Sequence, residues 1–275
     1  MLGKLIKHEF KQTAHSVIAV YGVAAAMMVL MLLSYLTDVT WIGVLGSSLL
    51  VFTGILAVIM TLVAVLTNFQ RSLYSNQGYL TFTLPVKCSR LLLSKVIVSA
   101  IWIIISYAAL MACFGIVYTY GKIKANGVGE GIMSMVGDFE ILSMLPSKGL
   151  VIKFLVMIAL AILLSIVTFI GYVYFAVTIG NTRRFQGHPM ISSIVIFMLI
   201  YSVIQGISLK LTYSLPLSIA VSRESVGFAF ISMENAYSED IMFAIGVGGF
   251  LFATLAAVGL LFLTGYIMER KVNIK

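Results

Sequence analysis

The fold is decided by the stretch Arg71-Ser-Leu-Tyr-Ser-Asn-Gln-Gly-Tyr-Leu-Thr-Phe-Thr-Leu-Pro-Val-Lys-Cys-Ser-Arg90, which is followed a turn later by Lys95. This stretch is polar and rich in turn-forming residues, and it separates two charge-free runs that are each long enough to cross a bilayer. It therefore connects two membrane spans. Four of its side chains are too apolar for a loop that touches only water, so we expect another protein to cover them: Tyr79, Leu80, Phe82 and Leu84.

The local structure of this connection is ambiguous from its pattern. Leu80, Phe82 and Leu84 alternate with threonines as in a half-buried strand, while Leu80 and Leu84 also lie four apart, as on one helix face. Pro85 disfavours helix at the residue before it, and Gly78 lets the backbone turn or approach another surface closely. The element is therefore short, about two helical turns at most.

Composition identifies a membrane protein. Of the 275 residues, 61% are hydrophobic and only 10% are charged, with a mean hydropathy of +1.08, whereas soluble domains carry about 25% charged residues. The predicted fold is an all-α polytopic membrane protein that forms a single domain over 1–275, with no length left for an ATPase domain. Cys88 and Cys113 are predicted to be small buried hydrophobic side chains, and no disulfide between them is expected.

Six spans are predicted from the apolar runs, together with a cytosolic connection at 68–95 and extracellular loops at 121–149 and 206–241. Each run is long enough to cross the roughly 30 Å hydrocarbon core or nearly so. The predicted spans are Gln12–Thr37, Val39–Gln70, Leu91–Tyr120, Val151–Ile179, Met190–Gln205 and Met242–Met268.

Residues 1–15 are predicted to form an amphipathic helix at the membrane surface. One face carries Leu2, Leu5, Ile6 and Phe10, and the opposite face carries Lys4, Lys7, His8 and Lys11. Glu9 falls inside the apolar arc, where a bare carboxylate costs about 2.5 to 3.5 kcal/mol at full depth. We predict a cationic partner for it, namely Arg71, Arg90 or Lys95; the alternative is that Glu9 reaches out to water.

The distribution of Lys and Arg predicts the orientation. With the amino terminus inside, twelve of the eighteen lie in cytosolic segments and six outside. The positive-inside rule therefore predicts that both termini lie in the cytoplasm. The expected location is a bacterial plasma membrane. The net charge of +8 reflects this orientation, and nucleic acid is not an expected partner.

Several sources of chemistry are excluded by the sequence. There is no Gly-x-x-x-x-Gly-Lys-Ser/Thr loop to hold nucleotide phosphates, and the middles of the predicted spans lack Asp, Glu, Lys and Arg. The three histidines, at 8, 15 and 188, show no metal-ligand spacing. No catalytic residue, metal site or cofactor is therefore predicted in this chain, and a transport function would need energy from elsewhere.

One segment carries a family resemblance. Tyr74, the run Asn76–Pro85, Ser89-Arg-Leu-Leu92 and Ser94-Lys95 resemble the coupling segment of ABC-2-type permeases of ATP-binding cassette exporters, in which many members have an acidic residue where this chain has Gln77. The resemblance implies a six-span architecture of the type V exporter kind, with two identical or different permeases and two ATPase subunits that bind ATP and Mg. It also implies that ten residues contact the ATPase: Tyr74, Asn76, Gln77, Gly78, Tyr79, Leu80, Thr81, Phe82, Leu84 and Pro85.

The resemblance also suggests where cargo passes. It nominates Phe52 on span two and Phe197 and Tyr201 on span five as lining the pathway, although core packing explains them equally well. The uncharged interior suits hydrophobic or amphipathic cargo, with amphipathic peptides as the leading expectation. A second cytosolic contact, either with protein or with lipid phosphate, is predicted at Arg183, Arg184 and Phe185.

Two other functions fit the sequence. A self-sufficient channel or secondary transporter would use residues 71–90 as an ordinary loop. A sensor or scaffold would bind a partner without moving cargo.

Overall fold

Long helices account for most of the described chain, because backbone groups in lipid must be hydrogen-bonded within their own segment. The computed structural model describes residues 2–37, 40–74, 88–126, 148–182, 188–222, 226–230 and 241–270. The elements in these ranges are α1 Leu2–Thr37, α2 Thr40–Tyr74, α3 Cys88–Asn126, α4 Lys148–Gly180, α5 Pro189–Ser214, β1 Ser218–Ser222, β2 Val226–Ala229, β3 Ile241–Gly246 and α6 Gly248–Arg270.

Five of these helices, α2 to α6, are long and apolar enough to cross a membrane within the part of the chain that the structure describes. Their outward faces are strongly apolar, since many large aliphatic side chains are exposed. A water-soluble protein rarely exposes contiguous apolar surface on this scale. The chain is therefore a helical membrane protein. Examples of such exposed side chains are Leu155, Leu160, Met198, Leu199 and Leu255.

The predicted surface helix at 1–15 is not a separate element. It forms the first part of α1, a single 36-residue helix that is about 54 Å long at 1.5 Å per residue. The stretch from Lys4 to Tyr21 contains neither Gly nor Pro, so nothing in it breaks the helix. The predicted faces are present: the four basic side chains at 4, 7, 8 and 11 are exposed, and Leu5, Ile6 and Phe10 are half-buried.

The chain divides into two compact units, Met1–Phe139 and Glu140–Lys275. In the first unit, α1, α2 and α3 pack against one another. Leu50 of α2 and Cys113 of α3 are buried in one apolar cluster, against which Met27, Ile116, Val117 and Tyr120 pack. Cys113 is therefore a buried hydrophobic side chain, and it is a free thiol.

In the second unit, α4, α5 and α6 pack against one another. The end of α4 approaches the start of α5 so closely that a Cβ on Gly180 would lie 2.8 Å from the backbone nitrogen of Ser193. Only glycine fits this contact. Asn181 and Thr182 close the end of α4 through side-chain hydrogen bonds to the Val177 and Ile179 carbonyls.

The predicted loop at 206–241 is wrong in its boundaries. Residues 206–214 continue α5, which ends because Pro216 cannot extend a helix and disfavours it at Leu215. A three-stranded antiparallel sheet follows, in the order β2-β1-β3. The bounds of the loop predicted at 121–149 are also wrong, because α3 continues to Asn126 and α4 begins at Lys148; residues 127–147 lie outside the described ranges.

The start of the predicted sixth span is also wrong. Residues 241–246, Ile-Met-Phe-Ala-Ile-Gly, form β3 and pair with β1, and the helix begins only at Gly248. A short apolar run fits a strand as well as a helix, and the following glycine pair is a poor helix interior. The expectation of an all-α chain thus omitted a small sheet, which connects two long helices.

Candidate functional site

A buried polar cluster joins α1, α2 and α3 beside the connection between α2 and α3. Glu9 accepts a hydrogen bond from Lys95 Nζ at Oε1 over 2.6 Å and another from Asn68 Nδ2 at Oε2 over 3.1 Å. Lys95 Nζ also donates to Ser72 Oγ over 2.7 Å. Lys95 is only 2% exposed. We call Glu9, Asn68, Ser72 and Lys95 the charge cluster.

The helix positions explain why these four residues meet. Ser72 and Asn68 lie one turn apart near the end of α2, and Lys95 lies in the third turn of α3. The α2 helix ends two residues after Ser72, and the α2–α3 connection ends about two helical turns before Lys95. Lys95 was one of the three cations predicted to pair with Glu9; Arg71 and Arg90 have exposed side chains.

A second polar contact lies one turn further along α1. Trp102 Nε1 donates to Thr13 Oγ1 over 2.7 Å, and Thr13 Oγ1 in turn donates to the Glu9 carbonyl over 2.9 Å. The Trp102 ring stacks on Phe10 with centroids 4.6 Å apart. The Thr13 hydroxyl thus accepts a hydrogen bond from the indole N–H of Trp102 on α3 and connects it to the backbone carbonyl of Glu9.

A third contact continues the series. Tyr21 and Ser106 have hydroxyl oxygens 2.6 Å apart, and Ser106 Oγ donates to Thr61 Oγ1 over 2.7 Å. The residue numbers rise together in α1 and α3 and fall in α2, so α1 and α3 run parallel and α2 antiparallel. The polar contacts therefore extend about 18 Å along α1, from Glu9 to Tyr21, at 1.5 Å per residue.

The Trp102–Thr13 contact gives a first testable expectation. Trp102→Phe should lower the free energy of unfolding by about 1 kcal/mol, since it removes one hydrogen bond while keeping an aromatic ring against Phe10. Thermal unfolding in mild detergent measures the loss. Trp41→Phe is the matched control because Trp41 is 66% exposed. Equal shifts for the two variants would show that the hydrogen bond contributes nothing.

The chemistry of the charge cluster is that of a joint between helices. Both carboxylate oxygens of Glu9 accept hydrogen bonds from other helices, and the Lys95 ammonium contacts both α1 and α2. Removal of one partner from such a buried pair leaves an uncompensated charge. The pair therefore holds the three helices in one arrangement at the end where the connection lies.

Most of the predicted ATPase-contacting residues lie outside the described residues, which stop at Tyr74 and resume at Cys88. Tyr74 itself is half-buried in the last turn of α2, with its ring edge-to-face against Phe69 at 6.2 Å. Asn76 to Pro85 fall in the gap. The second predicted contact, at 183–185, also lies outside the described ranges.

Two of the predicted pathway residues lie together on α5. Phe197 and Tyr201 stack with centroids 5.8 Å apart, and each ring makes an edge-to-face contact with α4, Phe197 with Phe169 and Tyr201 with Tyr172. Tyr201 remains 42% exposed. The third, Phe52 of α2, belongs to the first unit and is 63% exposed.

Tyr172 extends this aromatic group to α6. Its hydroxyl donates to the Ala253 carbonyl over 3.0 Å, and its ring is buried. The aromatic group therefore sits at the contact of three helices and leaves one edge, at Tyr201, open to a second molecule or to lipid.

Sequence reasoning missed most residues of the polar contacts. The missed residues are Thr13, Tyr21, Thr61, Asn68, Ser72, Trp102 and Ser106. A signal was present: Glu9, Thr13 and Tyr21 recur at spacings of four and eight, which places polar groups on one face of a helix. Across the described ranges, no three His, Cys, Asp or Glu side chains lie close enough to hold a metal ion.

Comparisons of the chain with protein-family models, with curated proteins and with solved structures found no match. The motif at 74–95 and the contacts of the charge cluster are therefore the observations from which we infer a function.

Proposed function

We propose that this chain is the membrane permease subunit of an ATP-binding cassette exporter of the ABC-2 type. In this proposal α1 is the first of six spans, both termini are cytoplasmic, and two permeases assemble with two ATPase subunits. The cargo is hydrophobic or amphipathic, with amphipathic peptides as the leading class, and it moves outward across a bacterial plasma membrane.

The observation that carries the proposal is the position of the charge cluster. Ser72 and Lys95 flank the connection that bears the family-like motif, and the buried Lys95 ammonium donates hydrogen bonds to both Ser72 and Glu9. A displacement of the connection by the ATPase subunits would therefore move α1, α2 and α3 together. A buried ion pair is expensive to desolvate, and here the Lys95 ammonium uses it to join both helices that flank the connection to α1.

The other polar contacts allow displacement to travel away from the connection. Thr13–Trp102 and Tyr21–Ser106–Thr61 keep the same three helices in register over about 18 Å. The three helices can then move as one lever when the ATPase subunits close on ATP. This accounts for transport work without covalent chemistry in this chain.

The source of energy lies in the partner. The sequence contains no phosphate-binding loop, so ATP and Mg would be bound by the ATPase subunit, whose surface would cover the apolar side chains of the connection. Phe82 and Leu84 would act as anchors, Gly78 would allow close approach, and Pro85 would end the element. Lipid contacts the exposed faces of α2 to α6.

One observation favours a different function. Acidic side chains buried between membrane helices also form the proton relays of pumps and transporters, and Glu9 is buried between helices in this chain. Here the pair lies within the third turn of α3 rather than at its middle, and both carboxylate oxygens are already hydrogen-bonded. These features fit a joint better than a relay, so ion-coupled transport by the chain alone is the second candidate.

The test is purification of the tagged chain from its native membrane in mild detergent, followed by mass spectrometry and an ATPase assay. We expect a stoichiometric ATP-binding subunit. Phe82→Ala should weaken its association by about 2 kcal/mol, or roughly 30-fold in Kd, if Phe82 is an interface hot spot.

Thr83→Ala is the control for this measurement, because Thr83 is next to Phe82 in the sequence and is not among the ten residues expected to contact the ATPase. Loss of the ATPase with Phe82→Ala alone would support the proposal. A purified chain that carries no ATPase and moves solute in liposomes by itself would instead support the second candidate.

A further inference from the structure

The sheet joins the end of α5 to the start of α6. β1 begins four residues after α5 ends at Ser214, and α6 begins two residues after β3 ends at Gly246. The backbone N–H of Val247 donates to the Leu217 carbonyl over 2.8 Å, which ties the two helix–strand junctions together. Because α5 and α6 have membrane-crossing length, the sheet that joins them sits at the bilayer surface.

The two faces of the sheet differ in side-chain size. Across the three strands Phe228, Ile219 and Ile245 occupy directly opposed positions, so their side chains share one face. The neighbouring positions, which point to the other face, are the small residues Gly227, Ala220 and Ala244.

Part of the large-residue face packs against α4. Val221 lies two residues after Ile219 and therefore points to the same side, where it is buried against Phe154, Leu150 and Val151 in the first two turns of α4. The part of this face that α4 does not cover is exposed at the surface of the protein. That part is apolar, since Phe228 is 77% exposed, and Phe230, just past the end of β2, adds a second aromatic ring that is 84% exposed.

Two exposed lysines lie near the helix ends that adjoin the sheet. Lys153 is exposed near the start of α4, and Lys210 is exposed one turn before the end of α5. Both helix ends adjoin the sheet. Lysines near the ends of membrane helices extend their ammonium groups to lipid phosphates while their aliphatic stems stay in the apolar layer.

We propose that β1–β3 is a membrane-docking plate: Phe228 and Phe230 insert into the boundary between headgroups and acyl chains of one leaflet, and Lys153 and Lys210 contact phospholipid phosphates. Phospholipid is the occupant that these observations favour, because the exposed aromatic rings lie on a sheet that joins the ends of two helices of membrane-crossing length. Aromatic side chains are enriched at this depth. The assignment is independent of any partner ATPase.

The test compares two adjacent positions on β2 that point to opposite faces. Phe228→Cys and Gly227→Cys are introduced into a full-length chain in which Cys88 and Cys113 are alanine, labelled with a nitroxide, and reconstituted in phosphatidylcholine–phosphatidylglycerol vesicles. A side chain at Gly227 is sterically free, since an added Cβ meets nothing within 4 Å. The measurement is the accessibility of each label to oxygen, which dissolves in lipid, and to a water-soluble nickel chelate.

We expect the oxygen-to-nickel accessibility ratio to be several-fold higher at 228 than at 227. Low ratios at both positions would overturn the proposal in favour of a water-exposed sheet, and equally high ratios would overturn the assignment of one membrane-facing side. A label at 228 that neither reagent reaches, with dipolar broadening from a second label, would overturn it in favour of a second copy of this chain.

A second measurement covers the case in which the alanine background does not fold. Phe228→Trp and Gly227→Trp are made in the chain with its native cysteines, and tryptophan fluorescence is quenched with brominated phospholipid. After subtraction of the parent signal, quenching of the residue at 228 alone supports the membrane-docking plate. Absence of quenching at 228 contradicts it.

Discussion

Glu9→Gln is expected to lower the free energy of unfolding by about 3 to 5 kcal/mol, because it leaves the buried Lys95 ammonium without a counter-charge. Glutamine keeps the size of the side chain and one carbonyl acceptor, so the loss reports the charge rather than a cavity. The free energy is measured by reversible unfolding of the purified chain in mixed detergent micelles.

The double variant Glu9→Gln/Lys95→Met identifies the cause. It removes both charges together, so it should recover most of the stability lost in Glu9→Gln. Lys11→Met lies on the exposed side of the same helix and should change stability by less than about 0.5 kcal/mol. If Glu9→Gln and Lys11→Met unfold alike, or if the double variant is the least stable of all, the ion pair does not hold the helices together.

Gly249→Leu is expected to destabilise the second unit by about 2 to 3 kcal/mol. At this position the backbone of α6 lies directly against α5, and an added Cβ would overlap the Ser208 carbonyl oxygen and Thr212 Oγ1. Thr212 is held in place by its own hydrogen bond to the Ser208 carbonyl. The helices would have to separate to admit any side chain, so Gly249→Ala should already be harmful.

Gly259→Leu, on the same helix, is the matched comparison. An added Cβ there meets nothing within 4 Å, and leucine favours helix over glycine by up to about 1 kcal/mol. This variant should therefore be neutral or slightly stabilising. Equal losses at the two positions in an unfolding experiment would mean that helix flexibility, rather than close packing at Gly249, decides the effect.

The apolar runs predicted the helices well because lipid leaves the backbone few alternatives. Their ends were predicted less well. Pro216 is a sequence signal for the end of α5. The run Ile241–Gly246, by contrast, fits a strand and a helix equally well, and only its pairing with β1 decides between them. The continuity of α1 was missed because the charges at its start suggested a separate surface helix, although no helix-breaking residue follows them.

One feature of the site was predictable from the sequence: a carboxylate on the apolar face of a helix, such as Glu9, needs a cationic partner. Glu9 required a cation, but the choice of Lys95 depends on the register of α1 against α3, which a separation of 86 residues in sequence does not reveal. Thr13 and Trp102 resembled ordinary residues of an apolar span, since only the packed helices bring the indole to the hydroxyl.

The Glu9–Lys95 pair also sets an order of events during biosynthesis. Glu9 enters the membrane region 86 residues before its partner is made, which at about 5 to 20 residues per second is a delay of roughly 4 to 17 s. Throughout that interval α1 carries a carboxylate without its permanent counter-ion. Stable burial of α1 must therefore wait for α3. We expect α1 to reach its final packing only after α2 and α3 have been inserted.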